Sequence, residues 1–417
     1  MLMKRSILCL LCLLPAAPCL ADPLQISTCG ESCVLTSPRH KIFMSQNNPS
    51  HLWLAFANRR YENFKKSTDG GLSWNATEPD ALTVKEYLNY HASIAGDSQD
   101  NVYYADVGSG GAYFRKVTAP GESASSFGPL QLLTPALEPP MPEDMNVYAN
   151  VLAQDQNNIW IITRTRLDAM GNIRYFRSQN GGSSFTQGWV EQVNAEDVRI
   201  GSLLINNQPA VVVKYNSPKP PGDPIDYRYF IWNGSQFIRN IDADIVFNQG
   251  IAFDRGYSMA YVNGYMHFTY NQGRVLRHAW KQYGNGSALW QYGIVDQVST
   301  AEGTPDWHGS LSRHGSDLYA IYTRQDAETL YSNNVYLRKW TGSQWGPAVQ
   351  LTSDGLCNRY PHSAQIINPS ADYLPIVWMK AEAGTCANPS VYYVRHPLDG
   401  SSDSTVPAAP QNLAIVP

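Results

Sequence analysis

Four histidines stand at matching places along this sequence of 417 residues. His40-Lys41-Ile42-Phe43, His91-Ala92-Ser93-Ile94, His308-Gly309-Ser310-Leu311 and His362-Ser363-Ala364-Gln365 each lead into a β-rich run. Tyr148-Ala149-Asn150-Val151, Ile200-Gly201-Ser202-Leu203 and Tyr257-Ser258-Met259-Ala260 fill the same slot, so the starts recur every 51 to 57 residues. Imidazoles brought together can act as general base, as hydrogen-bond donors or as ligands of a divalent metal. His40, His91, His308 and His362 are therefore the candidate metal ligands. No Asp or Glu stands at matched positions to complete such a set, and the sequence implies no other cofactor. A second group is basic. Arg59, Arg164, Lys214, Arg324 and Lys380 close the β-rich runs that follow the starts. Cations there would hold a carboxylate or a sulfate, with Tyr257, Tyr215, Trp307 and Tyr322 offering aromatic surface to a sugar. The plain alternatives are that repeats copy histidines without function, and that loop ends are simply charged.

These residues need a scaffold that brings distant starts to one place. After each start comes a run such as Leu52-Trp53-Leu54-Ala55-Phe56, Val102-Tyr103-Tyr104-Ala105 or Ile159-Trp160-Ile161-Ile162. A third run follows, such as Tyr113-Phe114-Arg115-Lys116, Tyr229-Phe230-Ile231 or Tyr336-Leu337-Arg338-Lys339. Hairpins after these also rhyme: Trp232-Asn233-Gly234-Ser235-Gln236-Phe237 against Trp340-Thr341-Gly342-Ser343-Gln344-Trp345. A four-stranded unit repeated at this period predicts an all-β, seven-bladed β-propeller of antiparallel blades over residues 22–398. A six-bladed ring is the alternative. The last unit lacks a fourth strand after Tyr392-Tyr393-Val394-Arg395. Cys33-Val34-Leu35-Thr36-Ser37 mimics Val349-Gln350-Leu351-Thr352-Ser353, so the N-terminal strand is expected to close the last blade. In such a ring the four histidines come from neighbouring blades and form one arc beside the axis.

Residues 1–21 read as a secretory signal: Lys4 and Arg5, an apolar stretch from Ile7 to Leu14, then Cys19-Leu20-Ala21. A secreted or periplasmic protein is expected, as a monomer without a membrane span. Beyond the signal four cysteines remain: Cys29, Cys33, Cys357 and Cys386. Cys357 and Cys386 fall in loops on one face of one blade, which pairs Cys357–Cys386 and leaves Cys29–Cys33 as a local bridge. A cross-pairing that bolts the N-terminal strand to the last blade is the alternative. The formal charge of -4 argues against nucleic acid or anionic membrane as partner. Residues 399–417 turn polar and then read Val406-Pro407-Ala408-Ala409-Pro410-Gln411-Asn412-Leu413-Ala414-Ile415. This is a linker, or the start of a lost module that briefly resembles fibronectin type III.

Ser67-Thr68-Asp69-Gly70-Gly71-Leu72-Ser73-Trp74 reads S-x-D-x-G-x-x-W, with Ser67, Asp69, Gly71 and Trp74 as its fixed points. Ser178-Gln179-Asn180-Gly181-Gly182-Ser183-Ser184-Phe185 is a degenerate copy. The pattern resembles the Asp-box, or BNR repeat, of sialidase-like β-propellers, where it joins the third and fourth strands of a blade. True sialidases resemble the chain at Lys41-Ile42-Phe43 and Leu54-Ala55-Phe56-Ala57. There, however, Lys41 replaces their carboxylate-binding Arg, and no Tyr/Glu nucleophile pair is found. Seven-bladed BNR propellers that are polysaccharide lyases, ulvan lyases among them, are more similar, blade by blade. That resemblance implies Arg164 as neutraliser of a uronate carboxylate, His91 as base and Tyr148 as acid. His40, His308, His362, Arg59, Arg324 and Tyr257 then bind substrate. The expected function is a carbohydrate-active propeller acting on an acidic polysaccharide, as a lyase. A non-catalytic glycan-binding propeller and an exo-sialidase are the alternatives.

Overall fold

The computed structural model describes residues 23–28, 33–34, 40–58, 62–76, 92–108, 111–119, 126–134, 148–164, 172–192, 197–217, 227–241, 244, 253–272, 274–297, 309–325 and 332–398. Its regular elements are strands. Short runs of β-branched and aromatic residues are broken by tight turns that force antiparallel pairing. Asn263-Gly264, with φ of 51° and 81°, links Phe253–Val262 to Tyr265–Gln272 in such a two-residue turn. Asn206-Asn207, at 47° and 62°, does the same between Asp197–Ile205 and Gln208–Ser217.

Four sheets are antiparallel meanders of four strands. They begin at Ser93–Gly96, Tyr148–Ala153, Asp197–Ile205 and Phe253–Val262. A fifth, five-stranded sheet holds Ile42–Met44, Leu52–Asn58, Glu62–Ser67 and Asn75–Ala76, with Cys33–Val34 beside Ala57 and Asn58. First strands touch in chain order, and Cys357–Ser363 touches Ile42–Met44. Cores lie between consecutive sheets. Trp160, Ile162 and Val190 pack on Val211, Val213 and Trp232, and Leu203, Tyr227 and Tyr229 pack on Met266 and Phe268. A sheet buried on both faces needs no polar alternation, which is why Ile159–Arg164 is buried throughout. The architecture is an all-β propeller of four-stranded antiparallel blades.

Two expectations are corrected. The last two repeats are not separate sheets. They form one sheet of nine strands, joined by parallel pairing of Asn333 with Cys357 and of Arg313 and His314 with Ile366 and Ile367. Five sheets stand alone as blades. Nor does the start of the expected closing strand Cys33–Ser37 lie beside the last repeat: Cys33–Val34 pairs with Asn58 and Ala57 instead, and 35–37 fall outside the described residues. The strand beside Ser390–Pro397 is Leu24–Thr28, antiparallel, with Leu24 opposite Tyr393 and Thr28 opposite Ser390. Leu24-Gln25-Ile26-Ser27-Thr28 alternates as an edge strand should, whereas the likeness of Cys33–Ser37 to Val349–Ser353 carried no information about its partner.

Cys357, at the start of Cys357–Ser363, is bonded to Cys386 in the turn before Ser390–Pro397, closing a loop of sequence separation 29. Cys29 and the side chain of Cys33 fall outside the described residues, and the expected Cys29–Cys33 bridge with them. A loop of this size restricts the unfolded chain, so replacing Cys357 and Cys386 together by Ser should lower unfolding free energy by about 2–4 kcal/mol, read by urea titration.

The turns at 67–74 and 178–185 carry one hydrogen-bond plan. Gly71 N donates to Ser67 Oγ (2.7 Å) and Ser73 N to Asp69 Oδ1 (2.9 Å). Gly182 N donates to Ser178 Oγ (2.8 Å) and Ser184 N to Asn180 Oδ1 (2.9 Å). Gly71 and Gly182 have φ of 91° and 89° and lie flat against the rings of Tyr393 and Phe114 in the adjoining sheet. A Cβ on Gly71 would sit 2.1 Å from the Tyr393 ring, which is itself buried. Strain and overpacking each cost about 1–3 kcal/mol, so Gly71→Ala should lower stability by more than either alone. Chemical denaturation of that variant checks it; an unchanged midpoint would mean the turn does not dock on Tyr393.

Candidate functional site: the strand-end face and the axial cavity

Tyr148 and Arg164 are directly opposite each other at one end of their blade, on Tyr148–Ala153 and Ile159–Arg164. They are sixteen residues apart in sequence, and a single antiparallel register makes them neighbours. Arg164 is buried. The face at this end is where second strands finish, so Arg324 and Lys380 belong to it too.

Those two cations already have partners. Arg324 lies over the Tyr336 ring at 3.9 Å from its centroid and 3.3 Å from Asp296 Oδ2. Asp296 also accepts from the Tyr322 hydroxyl and lies 3.4 Å from Arg338. Burial together with Asp296 raises the Tyr322 pKa, so this phenol stays protonated. Lys380 Nζ reaches Asp354 at 2.8 Å and stands over Tyr392. The basic rim is thus partly neutralised by acids on neighbouring elements, Asp296 on Gln291–Gln297 and Asp354 just before Cys357. Sequence reading missed both acids because they lie in other runs, 28 and 26 residues from their cations.

The histidines are placed unevenly. Phe43, Ala95, Leu152 and Ser312 are in step, opposite Trp53, Tyr103, Trp160 and Tyr319. Counting back, His40 is in step with Ala92, Ala149 and Gly309, one residue further along than Tyr148. His40 lines the axial cavity, and burial lowers its pKa to about 4, leaving it neutral at pH 7. His362 is buried and opposite Val377, five residues into its strand. Lys41 is fully buried with Nζ donating to the Ala92 carbonyl at 2.6 Å. His91, His308, Arg59 and the side chains of Tyr148 and Tyr257 fall outside the described residues, as does the signal at 1–21. Among the described residues no group of three or more His, Cys, Asp or Glu could hold a metal ion. No described helix is long and apolar enough to cross a membrane.

The axial cavity, about 330 Å³, runs between the first strands. Its walls mix small side chains, Ala95, Gly96, Ala153, Ala260 and Ala364, with larger apolar ones such as Phe43, Leu152 and Leu203, and polar groups gather at the end away from Tyr148: Gln46, Asp97, Asp155, Tyr261, Arg313 and Gln365.

No family model matches the sequence, and no curated protein does. Solved structures share the fold. A PL25 polysaccharide lyase, an ulvan lyase bound to -[GlcA(1-4)Rha3S]-, has a TM-score of 0.58 at 9% identity over 90% of this chain and 96% of that one. Polysaccharide lyase Uly1 has a TM-score of 0.53 at 8% identity, over 87% and 90%. A protein of unknown function from Dyadobacter fermentans has 0.50 at 13% identity, over 91% and 99%. At such identities the likeness is one of fold.

Proposed function

We propose that this chain is an exported carbohydrate-active propeller that cleaves an acidic polysaccharide by β-elimination. The observation that carries the reading is the Tyr148–Arg164 pair, set opposite each other at the strand-end face of one blade. In the proposed reaction His91 takes the C5 proton of a uronate, Arg164 stabilises the negative charge that collects on its carboxylate, and Tyr148 gives a proton to the leaving O4. The C4–O4 bond breaks, a C4=C5 double bond forms, and no water enters. Support comes from the shared fold with two polysaccharide lyases, and from buried Lys41, which stands where a sialidase carries its carboxylate-binding arginine. The test is incubation with uronate polysaccharides while following the ultraviolet absorbance of unsaturated products. Absence of that absorbance with measurable glycan affinity would favour a binding propeller.

The reading includes a ring of seven blades, counting the nine-stranded sheet as two and closing the last with Leu24–Thr28. Two observations support it. The first strands touch in an unbroken circuit, and Gly71 meets Tyr393 as Gly182 meets Phe114, one blade back. The turns at 67–74 and 178–185 are then Asp-box hairpins. Met1–Ala21 is taken as the export signal.

A further inference from the structure

Arg313 is near the end of Gly309–His314, on the cavity wall between Tyr261 and Gln365. Its backbone N donates to the Gln365 carbonyl at 2.9 Å and its Nη1 to the Tyr261 carbonyl at 3.1 Å. No carboxylate among the described residues pairs with it. The two acids on the same wall are committed elsewhere. Asp97 accepts from Gln99 N, Asn101 N, Asn101 Nδ2 and the Tyr103 hydroxyl. Asp155 accepts from Asn157 N, Asn158 N and Asn158 Nδ2. Both carboxylates thus brace their own turns. Burial pulls the Arg313 pKa down, as expected of a cation half withdrawn from water without a counter-charge.

A cation in that position is costly unless an anion meets it. The guanidinium has donors left beyond the one held by Tyr261, and its planar fork suits the two oxygens of a carboxylate or sulfate. The cavity volume of about 330 Å³ is that of a small-ligand site, and its lining is mostly apolar with a few polar groups. Neutral Gln365 on the same wall adds hydrogen-bonding capacity without adding charge. We propose that the axial cavity is an anion site, which takes a monosaccharide-sized acid with its carboxylate or sulfate on Arg313. Arg313 lies at the end of the cavity away from Tyr148, and the proposal does not depend on the reaction proposed for Tyr148 and Arg164.

Isothermal titration of the purified chain with sodium glucuronate, sodium sulfate and uncharged glucose at matched ionic strength tests this. Glucuronate and sulfate should bind at one site per chain, and glucose should not. Glucuronate tighter than sulfate means that the cavity reads the sugar as well as the anion; equal affinity means that it reads the anion alone. Arg313→Gln should weaken glucuronate binding by about tenfold to a hundredfold, the value of a hydrogen bond to a charged group. Lys339→Gln, at a half-exposed lysine paired with Asp317 outside the cavity, should leave it unchanged. Ala153→Leu, which fills the cavity and keeps the charge, should also weaken it, so a poorly folded Arg313→Gln would not leave the matter open. Absence of binding, or binding that survives both Arg313→Gln and Ala153→Leu, overturns the proposal.

Discussion

His91→Ala should reduce turnover on a uronate polysaccharide by about a hundredfold to ten-thousandfold, the usual contribution of a positioned general base, while thermal stability stays close to that of the parent. Tyr148→Phe, which removes one oxygen, should lower kcat by a similar order if the phenol protonates the leaving O4. Arg164→Lys keeps the charge but loses the fork, so kcat should fall further than affinity, because the carboxylate gains charge only in the transition state. If the face only binds glycan, the three changes should instead weaken affinity in proportion to lost contacts, about 1 kcal/mol for each hydrogen bond. Steady-state kinetics beside melting curves separate these outcomes. A His91→Ala protein that unfolds, with specific activity intact in the folded fraction, would make the histidine structural and remove the base from the mechanism.

The propeller was legible in the sequence because its period is long and its second strands are buried on both faces. Runs such as Ile159-Trp160-Ile161-Ile162 announce themselves, and the turn pattern at Ser67–Trp74 gives a fixed point for alignment. What the sequence could not give is pairing across large separations. Leu24 meets Tyr393, and Asn333 meets Cys357, through geometry that no local pattern encodes. The similarity of Cys33–Ser37 to Val349–Ser353 misled for that reason. The candidate site divides along the same line. Tyr148 and Arg164 belong to one hairpin, and the register follows from the strand run. The neutralisation of Arg324 by Asp296 and of Lys380 by Asp354 is a contact between separate elements, invisible to a count of basic residues. The unsatisfied charge of Arg313 is visible only once the acids around it are seen to be engaged.

Acid should destabilise this protein well before its ordinary carboxylates titrate, and the reason lies between two histidines that sequence reading passed over. His267 on Tyr265–Gln272 and His278 on Val275–Gln282 stack with rings 5.2 Å apart and 7° from parallel, Nδ1 of the first 3.0 Å from Nε2 of the second. His278 is fully buried, stacked on Trp280 and edge-on to Trp340 and Trp345. Burial lowers His267 to about 4 and His278 well below its usual value, the latter further opposed by His267 itself. Both groups are therefore depressed in the folded chain and ordinary, near 6.5, in the unfolded one. The unfolded chain takes up protons first as pH falls, so their stabilising effect is complete above about pH 6.5 and is lost progressively from there toward pH 4. At about 1.4 kcal/mol per unit, His267 alone would remove about 3 kcal/mol over that window, a large share of a typical 5–15 kcal/mol. His40, lowered by burial in the same sense, adds to the loss. Glu191 and Asp244, raised by burial, run the other way. Urea titrations at intervals from about pH 7.5 to 4 should show a plateau and then a steep decline. Replacing both partners by Phe keeps the stacked shape and leaves no buried donor unpaired, so His267→Phe with His278→Phe should flatten the decline while costing little at pH 7.5. A parent protein whose urea midpoint is constant down to about pH 4.5 would mean that the folded chain takes up these protons as readily as the unfolded one, and the link between this aromatic cluster and acid stability would be lost.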